Sequence, residues 1–189
     1  MFSHGLSKSV LRQQVRDRRR GLSAAVLQDK SRALVARIQT WEPWRSLQTV
    51  CLYSPLPGEP DVTGLCVDTC KTWVLPRCVG DRLVWHVWPP GGDLVPGRFG
   101  MGEPNPAWPT VPMAAADAVL VPALLGDRRG HRLGWGRGFY DRALGAATGW
   151  RIGVLFAEFV VDSLPVDPWD IPLDAIVTET AWLSFRTNV

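Results

Sequence analysis

The residues best suited to chemistry lie together in one stretch, Val119-Leu-Val-Pro-Ala-Leu-Leu-Gly-Asp-Arg-Arg-Gly-His-Arg-Leu-Gly-Trp-Gly-Arg-Gly-Phe-Tyr-Asp-Arg142. Gly134, Gly136 and Gly138 alternate with other residues just before a helical pattern that begins near Phe139. Glycine lets backbone N–H groups approach a ligand closely, and a helix N-terminus adds a field that favours anions. Arg132 and Arg137 flank these glycines and can neutralise phosphate charge. Asp141 falls in the first helical turn, where a carboxylate can hold a hydrated magnesium ion or simply complement the helix dipole. Together these features point to an anion site. It is not a Walker loop, because GxxxxGK[ST] is absent, and Gly134-Trp-Gly-Arg-Gly-Phe does not fit the dinucleotide pattern GxGxxG.

Strands alternating with helices must position this loop. Ser7 is placed to cap a helix through Lys8, Leu11, Val15 and Arg18 that breaks at Gly21. Ser23 opens a second helix with Ala25, Val26, Leu34, Val35 and Ile38 as its apolar contacts. Strands are expected at Thr49–Tyr53, Thr72–Leu75 (ending at Pro76), Leu83–Trp88, Ala118–Val121, Ile152–Phe156 and Ile176–Thr178. Short helices are expected at Asp61–Cys70, capped by Asp61 or Thr63, and at Gly138–Ala147. The Gly/Pro-rich segment Pro89–Pro112 reads as an ordered excursion. This order indicates an α/β fold: one three-layer domain spanning residues 1–189, with a central, mostly parallel sheet flanked by helices. In open sheets of this kind ligands gather beyond the carboxyl ends of the strands, where the glycine loop falls.

Composition narrows the function classes. The chain has 189 residues, 46% hydrophobic and 21% charged, with a net charge of +3. No apolar run approaches the roughly 20 residues needed to cross a bilayer, and Lys8–Arg20 is too charged for an export signal, so the cytoplasm is the expected compartment. The four cysteines, Cys51, Cys66, Cys70 and Cys78, form no CxxC pair and read as reduced, buried small hydrophobes. His4, His86 and His131 show no catalytic pattern, and Arg16–Arg20 reads as a solvated basic face. Tryptophans beside arginines would suit single-stranded nucleic acid, but they are scattered and the net charge is low, so no nucleic-acid or membrane partner is expected.

Arg132-Leu-Gly-Trp-Gly-Arg-Gly-Phe-Tyr-Asp-Arg142 resembles the signature of the 5-formyltetrahydrofolate cyclo-ligase family, R-L-G-x-G-x-G-[YF]-Y-D, at every fixed position. Lys8-Ser-Val-Leu-Arg12 resembles the family's opening K-x-x-L-R, and Tyr53–Asp61 its strand followed by an acidic turn. Phe99-Gly-Met-Gly-Glu-Pro104 and Asp170-Ile-Pro-Leu-Asp174 resemble two further family segments. The chain departs from that pattern in the prolines of its acidic turn, in Trp135 and in Arg137.

The resemblance implies an ATP-dependent closure of 5-formyltetrahydrofolate to 5,10-methenyltetrahydrofolate, with ATP and Mg2+ as cofactors and a phosphorylated formyl oxygen as intermediate. It implies that Arg132 and Arg137, with Leu133 and the Gly134, Gly136 and Gly138 backbone, take the ATP phosphates. Lys8 and Arg12 would close over the nucleotide from the first helix, and Asp141 and Asp170 would position magnesium. Trp135, Phe139 and Tyr140 would stack on pterin or adenine or wall the cleft. The folate side would include Pro55 and Phe99, with either Glu59 or Asp61 accepting hydrogen bonds from the pterin. The rival reading keeps the fold and ATP but takes another small formylated or carboxylated substrate.

Overall fold

Both serine-capped helix starts read from the sequence are present. The computed structural model describes residues 6–186, which leaves His4 outside them. Ser7 caps α1 (Lys8–Arg20) and Ser23 caps α2 (Ala24–Gln39), each hydroxyl accepting the N–H three residues on. The buried face of α2 runs through Leu34 and Ile38 with Leu27 half-buried, whereas Ala25 and Val26 are exposed. Leu27, Leu34 and Ile38 fall on one stripe at helical spacing, and residues 25 and 26 fall off it.

The strands follow in order: β1 (Thr49–Cys51), β2 (Thr72–Val79), β3 (Arg82–Val87), β4 (Val95–Pro96), β5 (Gly102–Glu103), β6 (Ala118–Pro122), β7 (Leu125–Asp127), β8 (Arg132–Leu133), β9 (Trp150–Val154), β10 (Val160–Val161), β11 (Ala175–Val177) and β12 (Trp182–Ser184). The main sheet has the order β12-β11-β9-β6-β1-β2-β3. Its inner pairings are parallel, and β12 and β3 join antiparallel at the two edges. Period-two alternation splits the strand side chains between two cores. Cys51, Val74, Val119, Val121 and Ile176 pack with Leu11 and Val15 of α1 and Leu144 of α3 (Phe139–Leu144). Val50, Leu52, Trp73, Leu120 and Ile152 pack on the opposite face with Leu34 and Ile38 of α2. The architecture is therefore α/β, with helices on both faces of a mostly parallel sheet.

Several expected boundaries are corrected. β2 runs through Pro76 to Val79, because β1 pairs with β2 only over Thr72–Val74 and Pro76 lies where that edge has no parallel partner to receive an N–H. The Asp61–Cys70 helix is only a 3-10 turn, Thr63–Val67. Its start is set by the Asp61 carboxylate, which accepts both the N–H (2.9 Å) and the hydroxyl (2.6 Å) of Thr63. The helix after the glycine loop stops at Leu144 rather than Ala147, the chain turning at Gly145. The segment between β6 and that helix contains the β7–β8 hairpin, with β10 beside β7. Pro89–Pro112 is ordered as expected and carries the β4–β5 ribbon. The cysteines are free; Cys51 and Cys66 are buried as expected, but Cys78 is half-buried and Cys70 exposed.

From β1 the chain moves to β2 on one side, and from β6 to β9 on the other, so β1 and β6 flank the point where strand order reverses. Crevices open at such a point, beyond the strands' carboxyl ends. The hairpin that brings the glycine loop there is organised by Asp127, which is fully buried. Its carboxylate accepts the backbone N–H of Arg129, His131 and Leu164, each at 2.9 Å. Burial alone would push Asp127 up, but those hydrogen bonds and that of the Arg129 side chain outweigh it and hold its pKa below the ordinary value. A depressed carboxylate stabilises the fold above its unfolded pKa, and this contribution is lost as pH falls through the folded value. Asp127→Ala, which leaves three backbone donors without their acceptor, one of them buried, should cost about 2–3 kcal/mol in urea unfolding at neutral pH. It should also flatten the loss of stability below about pH 4.

Candidate active site

A cavity of about 770 Å³ opens at this reversal point. All the residues expected from the sequence line it except Pro55 and Asp61. Asp61 is exposed and spends its carboxylate on Thr63, so the open choice within the acidic turn falls to Glu59 as the cavity residue. Pro55 lies between Ser54 and Leu56, both of which line the cavity.

The glycine loop forms one wall. Gly136 (φ 95°) and Gly138 (φ 66°) occupy the left-handed region that side chains avoid, which turns the loop sharply into α3. Gly134 has open space where a side chain would project. With six residues, α3 supplies little dipole, so charge at this wall comes chiefly from arginine. Arg132 is buried and donates to the Asp141 carboxylate and to the Ile171 carbonyl. Burial pulls its pKa down, while Asp141 and Asp170 oppose that shift. Arg137 is exposed, its guanidinium 5.6 Å from the Phe99 ring centre, and Phe99 meets Phe139 edge-on at 5.8 Å. The β4–β5 ribbon thus brings Phe99 over the loop.

Helix α1 crosses the cavity. Lys8 Nζ donates to Asp167 (2.7 Å) and Asp170 (2.5 Å), and Arg12 Nε donates to the Gly134 carbonyl (2.9 Å). Burial works to lower the Lys8 pKa, but its two carboxylate partners raise it on balance. Asp170 is held below the ordinary carboxylate value: burial opposes this, and the Asp167 N–H and Lys8 prevail. A metal site can be tested against these contacts. Among the described residues no group of three or more His, Cys, Asp or Glu converges, and Asp141 and Asp170 each already hold a cation. That donor set does not make a resident metal cage, but it suits a hydrated ion arriving on phosphates.

The acidic turn forms the other end. Glu59 is buried; its Oε1 accepts from Trp135 Nε1 at 2.7 Å and its Oε2 from the Leu56 N–H at 3.0 Å. Burial raises its pKa, against those two bonds and the charge of Arg19. Trp135 therefore ties the glycine loop to the acidic turn. Tyr140 also lines the cavity, its phenol pushed well up by burial.

Sequence reasoning missed two participants. Asp167 shares Lys8 with Asp170. Arg19, read as part of a solvated face, is buried and lines the cavity. The signal was available: Leu11, Val15 and Arg19 share one helix face at steps of four, so the buried stripe continues into the arginine.

Comparisons with known proteins agree on one family. The family model of the 5-formyltetrahydrofolate cyclo-ligase family matches residues 4–179. The 5-formyltetrahydrofolate cyclo-ligase of Mycolicibacterium smegmatis is 37% identical, covering 91% of this chain and 93% of that protein. The Escherichia coli K12 enzyme of the same name is 30% identical over 87% of this chain and 96% of its own. The solved structure of Aquifex aeolicus 5,10-methenyltetrahydrofolate synthetase is similar at a TM-score of 0.88, with 32% identity, over 97% of this chain and 95% of that one.

Trp135→Phe keeps the ring and removes the N–H that Glu59 accepts. It should lower unfolding stability by about 1–2 kcal/mol, measured by urea titration at neutral pH. Unchanged stability would mean the bond contributes nothing to tying the two walls together.

Proposed function

This chain belongs to the 5-formyltetrahydrofolate cyclo-ligase family, and from that premise we propose that it closes 5-formyltetrahydrofolate to 5,10-methenyltetrahydrofolate, converting ATP to ADP and phosphate. The observation that carries the reading is one cavity with two chemically different ends joined by the Trp135–Glu59 bond. One end is cationic and rich in backbone donors; the other offers a buried carboxylate oxygen.

The formyl oxygen on N5 is a poor leaving group, and N10 is a weak nucleophile. In the proposed sequence the formyl oxygen attacks the γ-phosphorus and ADP leaves. N10 then attacks the formyl carbon, gives up its proton, and phosphate departs with its oxygen as the five-membered ring closes. Little covalent chemistry falls to the protein, whose task is positioning and charge stabilisation. Arg132, Arg137 and the Gly134–Gly138 N–H groups would receive the phosphates, with Lys8 and Arg12 beside them. Glu59 would accept N–H groups of the pterin, walled by Trp135, Phe99 and Phe139. Phe99 is supported by its contacts with Phe139 and Arg137. Asp141 and Asp170 would hold a hydrated Mg2+ that, when bound, neutralises phosphate oxygens.

The proposed reaction is one of the cytoplasm, and among the described residues no helix is long and apolar enough to cross a membrane.

Mixing the protein with 5-formyltetrahydrofolate, Mg2+ and ATP should produce the methenyl absorbance band, and omitting ATP should abolish it. ATP binding without any band, in folded protein, would favour a different formylated or carboxylated substrate. Arg132→Ala should lower kcat by about 100-fold, with a smaller rise in KM for folate, as expected for a group that stabilises developing charge. A normal kcat in that variant would remove Arg132 from the chemistry.

A further inference from the structure

The roles proposed so far leave one buried cation in the cavity wall unused. The Arg19 side chain is 4% exposed and that of Glu59 2%, with Nη1 of Arg19 3.9 Å from Oε1 of Glu59. That separation is too long for a direct hydrogen bond. Arg19 Nη2 donates to the Ala123 carbonyl at 2.7 Å, and its guanidinium lies 5.1 Å from the Phe159 ring centre. Its Nε and Nη1 are buried without a hydrogen-bond partner. A guanidinium in such surroundings is costly unless an opposite charge is near.

Glu59 is already oriented by neutral donors, since Trp135 and the Leu56 N–H each take one of its oxygens. What Arg19 adds is charge rather than geometry. The other titratable groups facing Glu59 are the phenols of Tyr53, two residues past β1, and Tyr140, on α3. Burial pushes both phenols well above their ordinary value, so they stay neutral and leave the carboxylate uncompensated. Burial likewise drives Glu59 toward its protonated form, with Arg19 opposing it. The protonation state matters for recognition. A carboxylate only accepts hydrogen bonds, whereas a carboxylic acid also donates one.

We propose that Arg19 is a positioning residue that acts through Glu59, keeping it an anionic acceptor so that the cavity selects heterocycles presenting N–H donors over analogues presenting oxygen acceptors. The proposal rests on the reading that Glu59 contacts the substrate ring. Without the Arg19 charge, Glu59 would take up its proton at higher pH and offer a donor where the ring also offers one.

The test is the pH dependence of kcat/KM for 5-formyltetrahydrofolate at saturating ATP, in Arg19→Met, Arg19→Lys, Glu59→Gln and the Arg19→Met/Glu59→Gln double variant. Thermal unfolding would establish that each is folded. Arg19→Met should move the acid limb up by about 1 pH unit or more, the size expected on losing an opposite charge at this range. The KM for ATP should not move, and Arg19→Lys should keep the limb near its original position. In the Glu59→Gln background, Arg19→Met should cause no further shift, because the group through which it acts is gone. Should Arg19→Met fail to fold, Arg19→Gln against Arg19→Lys gives the same comparison of charge present and absent. A folded charge-removing variant with an unmoved limb overturns the proposal while leaving the Glu59 contact intact. So does a shift that persists without Glu59. If Glu59→Gln alone changes neither KM for folate nor its pH profile, the Glu59 contact falls and the proposal falls with it.

Discussion

Helix α1 is the constraint on which the site depends, because one of its faces ties three separate loops together. Lys8 bonds to Asp167 and Asp170, Arg12 to the carbonyl of Gly134, and Arg19 to the carbonyl of Ala123 beside Glu59. Ala123 and Gly134 flank the β7–β8 hairpin, and the Asp167–Asp170 segment follows β10 beside it, so α1 braces segments that this small sheet already gathers. The apolar residues between the cations, Leu11 and Val15, anchor the same face in the core with Val119, Val121 and Phe159. Burial fixes the helix over the sheet, and the long cationic side chains reach from that fixed position to the loop ends.

The electrostatics follow from this placement. Three of the cavity's cations have an anion within reach: Asp141 for Arg132, Asp170 and Asp167 for Lys8, Glu59 for Arg19. Buried ion pairs seldom add much net stability, since desolvation offsets attraction. Here they leave a cavity whose charges are set in place before a ligand arrives, the condition under which electrostatic stabilisation is most effective. Phosphates would enter beside Arg132 and Lys8, already held by carboxylates, so at those two cations binding would redistribute existing contacts rather than order free side chains.

Much of this was legible in the sequence because it rests on short-range rules. The serine caps, the parallel β/α alternation and the glycine–arginine loop follow from local spacing, and the loop carries the family signature unbroken. What was not legible depends on partners distant in sequence. Pro76 is tolerated within a strand only because β1 is short on that side. The choice between Glu59 and Asp61 turns on Thr63, which captures one carboxylate and leaves the other free to face Trp135 across the cavity. The β7–β8 hairpin hides inside a stretch with few strand-forming residues because Asp127, rather than side-chain alternation, organises it. At Arg19 a run of arginines masks the buried stripe, Leu11 and Val15, to which it belongs.

On the proposed function, phosphate and pterin would be held at opposite ends of one cavity. A structure determined with 5-formyltetrahydrofolate and a non-hydrolysable ATP analogue bound together tests this most directly. The expected result has the triphosphate against Arg132 and the Gly134–Gly138 backbone, the pterin against Glu59, and the formyl oxygen facing the γ-phosphate. A pterin seated away from Glu59, or a triphosphate outside the glycine loop, would contradict it.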